Sequence, residues 1–137
     1  AKLCKFQGFL CFSDAECGPG HVCYQGAGCS PVGDPALILS VPKEQWQTQY
    51  VFLTPDSYAE DYINIVTEPG ANLKLDNTTI PNSEFVAIPG SNFVVFRKKV
   101  QDGVHTVNSD KPASIVVYGY DKDVSYGYPG GLGLQDL

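Results

Sequence analysis

NFVVFRKKVQDGVHTVNSDKPASIVVYGYDKDVSYGYPGG, residues 92–131, holds four short apolar or alternating runs cut apart by turn residues. NFVVFRKKV (92–100) stops at Asp102-Gly103, VHTV (104–107) and ASIVVYGY (113–120) follow, and VSYGY (124–128) ends before Pro129-Gly130-Gly131. Runs this short, rich in Val, Ile, Phe and Tyr, read as β-strands. SIVVY (114–118) is apolar on both faces, which predicts a central strand covered on both sides. Arg97, Lys98 and Lys99 close an otherwise apolar run, which predicts an exiting or edge segment where cations discourage edge-to-edge pairing.

The same pattern extends upstream. ALILSV (36–41) ends at Pro42, YVFL (50–53) at Thr54-Pro55, YINIVT (62–67) at Pro69-Gly70 and FVAI (85–88) at Pro89-Gly90, while NLKLD (72–76) places Leu73 and Leu75 on one face. The prolines fall between runs, where a missing amide hydrogen costs no ladder bond. About nine short strands at a spacing of roughly 8–12 residues predict an all-β fold, a jelly-roll-like β-sandwich. No window sustains a helical period over three turns, and SYAEDY (57–62) has room for one helical turn.

Composition narrows the function classes. The net charge of −6 repels phosphate backbones, which argues against a nucleic-acid partner. No apolar run approaches the ~18 residues of a membrane-spanning helix. The opening AKLCKFQGF lacks the basic and apolar stretches of a signal peptide, and the absence of Met fits a processed product.

All five cysteines lie within the first 29 residues. Cys11, Cys17, Cys23 and Cys29 are evenly spaced, and the segment between them offers little that could form a core. Such a segment needs covalent staples, so disulfides and an oxidising compartment are expected. Four cysteines allow three pairings; the alternating one, Cys11–Cys23 with Cys17–Cys29, is the working choice. Zinc sites prefer closer pairs, although His21 lies nearby. Cys4 is left over, for a partner upstream, a free thiol or an interchain bond. This divides the chain into a disulfide-rich segment, 1–35, and a β-sandwich domain, 36–137.

GVHTVNSDKPASIVVYGYDKDVSYGYPGG (103–131) resembles the IgGFc-binding protein amino-terminal domain family, found in animal mucus proteins and many bacterial secreted proteins. The resemblance rests on Gly103, His105, Ser109, Pro112, the Val-Tyr-Gly-Tyr run at 117–120 and Ser125 to Gly131. FLTPDSYAEDYINIV (52–66) and GANLKLD (70–76) look like the preceding strands of that family, so the likeness runs from about Leu37 to the carboxyl terminus. Ser13-Asp14-Ala15-Glu16-Cys17-Gly18-Pro19-Gly20-His21-Val22-Cys23 is similar to small disulfide modules of secreted bacterial proteins. The resemblance implies a secreted or cell-surface protein, of bacterial type, and carries over no catalytic residues.

Candidate chemistry is sparse. His105, with Asp102 three residues away, lacks a positioned serine and a nucleophile-elbow sequence, so no catalytic residue is assigned and a strand-start hydrogen bond is the expected role. Asp121 and Asp123 are weak calcium candidates in a loop, and no other metal or cofactor is expected. Among the carboxyl-end tyrosines, Tyr118 and Tyr126 read as packing residues, while Tyr120 and Tyr128 are candidates for sugar stacking or a protein interface. Asn77-Thr78-Thr79 is a glycosylation acceptor sequence on a turn.

The function expected from these residues is an extracellular structural or adhesive module, assembling with copies of itself into a surface polymer or filament by strand addition through LILSV or through Cys4. The alternative is a glycan- or protein-binding module of a secreted protein. A secreted enzyme is the least supported class.

Overall fold

Alternation sets the strands. Residues 21–24, 28–31 and 33–133 are described by a computed structural model. In chain order the strands are β1 (His21–Tyr24), β2 (Gly28–Pro31), β3 (Gln47–Thr54), β4 (Glu60–Thr67), β5 (Leu73–Leu75), β6 (Thr78–Thr79), β7 (Val86–Ala87), β8 (Val94–Val100), β9 (Gly103–Asp121) and β10 (Val124–Pro129). Every second residue of β4, from Asp61 through Ile63 and Ile65 to Thr67, is buried, as a half-covered strand requires. Tyr50, Phe52 and Thr54 of β3 and Leu73 and Leu75 of β5 do the same. The all-β expectation holds.

The chain divides into two compact units. The first comprises Ala1–Ala36 with Tyr120–Ser125, the second Leu37–Gly119 with Tyr126–Leu137. In the first, β1 and β2 pair antiparallel with Cys23 opposite Cys29. A short hairpin therefore lies within the cysteine-rich segment, since His21–Tyr24 and Gly28–Pro31 complete one another's backbone bonds. Gly33 donates its amide to the Asp121 carbonyl at 2.9 Å, and the Asp34 amide reaches Ser125 Oγ at 2.8 Å.

In the second unit one curled antiparallel sheet runs β6-β5-β9-β4-β8-β7, with β3 and β10 also paired to β9. The runs at 104–107 and 113–120 are one strand, because β9 continues through Ser109–Pro112. Gln49 faces Asn108 but Gln47 faces Ala113, so β9 carries extra residues between them, a bulge that bends the strand. Thr67 Oγ1 donates to the Pro112 carbonyl at 3.0 Å, and Lys111 Nζ donates to Pro69 O at 2.8 Å. Tyr50 locks the bulge's far side, giving its hydroxyl proton to Ala113 O at 2.6 Å and accepting the Gln47 amide at 2.9 Å. The core inside the curl gathers Ile63, Ile65, Leu73, Phe96, Ile115 and Val117.

Three local expectations change. Ala36–Val41 is not a strand: it pairs with nothing in the sheet and leaves Leu37 and Leu39 exposed. Residues 57–62 form no helical turn, because Glu60–Tyr62 are already paired into β4; the short 3₁₀ turns are at Lys43–Gln45 and Asn82–Glu84. β6 is an extra strand, folded back on β5 by the two-residue turn Asp76-Asn77. Both turn residues have positive φ, 50° and 64°, the conformation Asp and Asn tolerate best among side-chain-bearing residues. The edge expectation for Arg97–Lys99 fits the topology. β7 covers only Val94 and Val95, so beyond them β8 is paired to β4 alone, and the three cations are exposed.

Candidate functional site

Strand alternation needs an apolar residue only on the inner face, yet the outer face of β3 and β9 is apolar too. Val51, Leu53 and Val104 are 70, 56 and 70% exposed. The register places Leu53 opposite Val104 and Val51 opposite Thr106, so the three side chains form one patch. Gln49 and Asn108, also register partners, carry that strand pair on beyond Val51 and Thr106. Exposed apolar residues that cluster, rather than scatter, mark interaction surfaces.

The free edge of β3 beside the patch is closed by a side chain. The Tyr128 hydroxyl donates to the Leu53 carbonyl and accepts the Leu53 amide at 3.1 Å, taking the place of a neighbouring strand at that residue. Burial raises the Tyr128 pKa, so the hydroxyl keeps its proton for this bond. Tyr128→Phe is expected to cost about 1 kcal/mol, since the freed groups at exposed Leu53 recover water; urea unfolding of the two proteins measures it.

Beneath the patch, on the inner face, lies a polar cluster. His105, register partner of Phe52, stacks on that ring at 5.1 Å. Its Nδ1 is 2.6 Å from Asp76 Oδ2 and its Nε2 is 2.6 Å from the Gln101 carbonyl. The same carbonyl accepts Thr54 Oγ1 at 2.7 Å. Asp76 also accepts the Thr106 amide on Oδ1 at 2.8 Å and gives its own amide to Thr106 O at 2.9 Å. Burial alone would lower the His105 pKa, but the bonds to Asp76 and Gln101 and the charges of Asp76 and Asp61 outweigh it and raise it. Burial would raise the Asp76 carboxyl, and the His105 and Thr106 bonds overcome it and hold it low. With both ring nitrogens engaged by acceptors of the fold, His105 acts as a tie between loops.

Asp61, 2% exposed, is the buried carboxyl of β4. Burial, then the negative charge of Asp102, raises its pKa, opposed by the hydroxyl of Tyr126, which donates to Asp61 Oδ1. Tyr126 in turn packs edge-on to Tyr58 at 4.6 Å and stacks on Tyr128 at 6.1 Å.

The residues singled out by sequence are dispersed. Tyr128 is in the second unit, half-buried and tied to Leu53. Tyr120 belongs to the first, its ring so close to Gly33 that a Cβ there would stand 2.8 Å from it. Tyr126 packs on the core as expected, and Tyr118 stacks on Tyr62 at 5.5 Å and bonds Asn64 Oδ1 at 3.2 Å. Asp121 accepts the Lys122 amide on Oδ1 at 2.5 Å, and Asp123 has a positive φ of 52°. Among the described residues no group of three or more His, Cys, Asp or Glu could hold a metal ion. Asn77 is exposed at its turn. Cys4, Cys11 and Cys17 lie outside the described residues, and each bond of the alternating pairing includes one of them. Val51, Leu53 and Val104 were not singled out; the signal was present in YVFL, as apolar on both faces as SIVVY.

Searches of curated proteins and of solved structures found no match to the chain. A family model described as IgGFc binding protein matches residues 9–119. That span takes in most of the cysteine segment and stops before the Ser125–Gly131 ending that is part of the resemblance. Covering well over half of the sequence, the match means that the chain belongs to the IgGFc-binding protein family.

Proposed function

We propose that this chain is an extracellular module that binds a protein partner through the outer face of β3 and β9. The single observation behind the reading is the solvent-facing patch of Val51, Leu53 and Val104 on strands whose inner face alone needs apolar residues for folding. The family is typically extracellular or at the cell surface, and membership in it points toward protein binding. No helix among the described residues is long and apolar enough to cross a membrane. The proposal is of a non-enzymatic module, in which affinity comes from burying apolar side chains at the centre of a contact.

The family's name makes the Fc portion of immunoglobulin G the first partner to assay, followed by extracellular glycoproteins. Leu53→Asp places a charge at the patch centre while leaving the inner face unchanged, and is expected to weaken binding at least about tenfold, or ~1.4 kcal/mol. Surface-immobilised partner and titrated module read this directly. Undiminished binding by Leu53→Asp, or binding to glycans alone that Tyr120→Ala abolishes, would overturn the proposal.

A second reading, assembly of copies, is favoured by Ala36–Val41, where Leu37 and Leu39 are exposed and unpaired in the sheet. Such a segment is a donor for strand addition, making adhesion a property of the polymer. Light scattering of Leu37→Lys/Leu39→Lys beside the unaltered chain separates the two: this reading requires a large species that only the unaltered chain forms.

A further inference from the structure

A carboxylate and a carbonyl are both acceptors, and a neutral imidazole has one N–H. His105 faces an acceptor with each ring nitrogen at 2.6 Å, so only the doubly protonated ring supplies a proton to both. The two acceptors sit on different loops: Asp76 on the turn between β5 and β6, Gln101 on the connection between β8 and β9. Thr54, at the end of β3, shares the Gln101 carbonyl and also reaches Gly103 O at 3.2 Å.

We infer that His105 is an imidazolium clasp that binds these two loops and the end of β3 into one closed end of the sheet, and that it releases them as the medium turns alkaline. Loss of either proton sets a nitrogen lone pair against an oxygen lone pair, and exposed Asp76 and Gln101 can then turn to water while the ring cannot. The ring is nearly buried, and Phe52 covers its face. Release would loosen the Phe52–His105 strand pair and leave the Asp76-Asn77 turn held through its Thr106 bonds and no longer through His105.

The groups facing the clasp decide the pH window. Asp76 faces it from the β5–β6 turn, Asp61 from β4, and Asp102 lies on the connection beside Gln101; Phe52, Thr54 and Gln101 are neutral. His105 is raised above its ordinary 6.5, so its contribution to stability is complete below 6.5 and is lost as pH rises through the folded value. Asp76 is lowered below 3.8, so its contribution is complete above 3.8 and is lost as pH falls through the folded value. Asp61 is raised, so ionising it removes stability as pH rises from 3.8 through its own folded value. The clasp is therefore fully closed between the two ordinary values and opens on the alkaline side of 6.5.

Nitrogen-15 NMR of the full chain with labelled histidine tests this, with His21→Gln assigning the other histidine. The expected result is that both His105 ring nitrogens remain protonated at about pH 7 and titrate above the ordinary value, while the urea midpoint falls between about pH 6 and about pH 9. In Asp76→Asn the ring is expected to titrate at a lower pH than in the unaltered chain, with a shallower stability profile. A singly protonated His105 ring at about pH 7, or a urea midpoint that is flat over that range, overturns the inference. If Asp76→Asn fails to fold, the titration of the unaltered chain still decides it.

Discussion

Phe96→Ala will lower the unfolding free energy by about 3–5 kcal/mol. Among the described residues Phe96 is the largest fully buried side chain. It points inward from β8 opposite Ile65 of β4, and Phe85 packs against its ring at 5.8 Å. Truncation removes the transfer energy of a whole ring and leaves a cavity that paired strands cannot close. The position matters doubly because β8 has β7 for company only at Val94 and Val95, so the rest of the strand is held by β4 and by what Phe96 buries. The single tryptophan reports the transition: Trp46 donates Nε1–H to Val41 O at 3.1 Å and packs edge-on to Phe93 at 5.2 Å. Leu53→Ala, on the solvent side, is the control and should change stability by less than about 0.5 kcal/mol. Equal losses in the two variants would mean that the core is not where the buried side chains place it.

The second large effect is expected at a glycine. Gly119→Ala should cost about 2–4 kcal/mol, although one methyl group is a small addition. Its φ is not in the left-handed region, so the cause is space. A Cβ at 119 would stand 2.7 Å from the Glu60 carbonyl and from Asp61 Oδ1, and closer still to the Tyr126 ring. The carbonyl belongs to paired backbone and cannot retreat, so the ring and the carboxyl must. Moving them breaks the bond from Tyr126 to Asp61, leaving a buried carboxyl without its hydroxyl donor. Tyr126→Phe isolates the bond from the crowding and should cost about 1–3 kcal/mol. Thermal unfolding of both variants measures the difference. A Gly119→Ala protein as stable as the unaltered one would show that the sheet yields there.

Reading short apolar or alternating runs between turn residues located β3, β4, β5, β7, β8 and β10 within a few residues, because turn residues punctuate short strands and a strand with one buried face alternates. It failed at ALILSV, whose composition is that of a strand. A strand also needs a neighbour, and Pro35 and Pro42 bracket this segment. It split β9 in two, since Ser109–Pro112 looks like a turn; in the fold those residues form a bulge pinned by Thr67 and Lys111, partners more than forty residues away. β6 was invisible, because two threonines become a strand only when Asp76-Asn77 turns them back on β5.

The candidate site shows the same boundary. YVFL and SIVVY are equally apolar on both faces. Val116 of the second is half-buried within a central strand, while Val51 and Leu53 of the first face solvent at the margin of the sheet. In the sequence the carboxylate beside His105 is Asp102, yet its carboxylate partner is Asp76, twenty-nine residues away. Local pattern by itself determined that the chain is all-β, where most strands lie and, where the alternation is clean as in β4 and β5, which face carries the core, because those follow from a two-residue period. Which strands lie at an edge, which apolar residues stay wet, and which acceptors meet His105 were decided by tertiary structure alone. Each depends on pairings between residues far apart in the chain, and a local period carries no record of them.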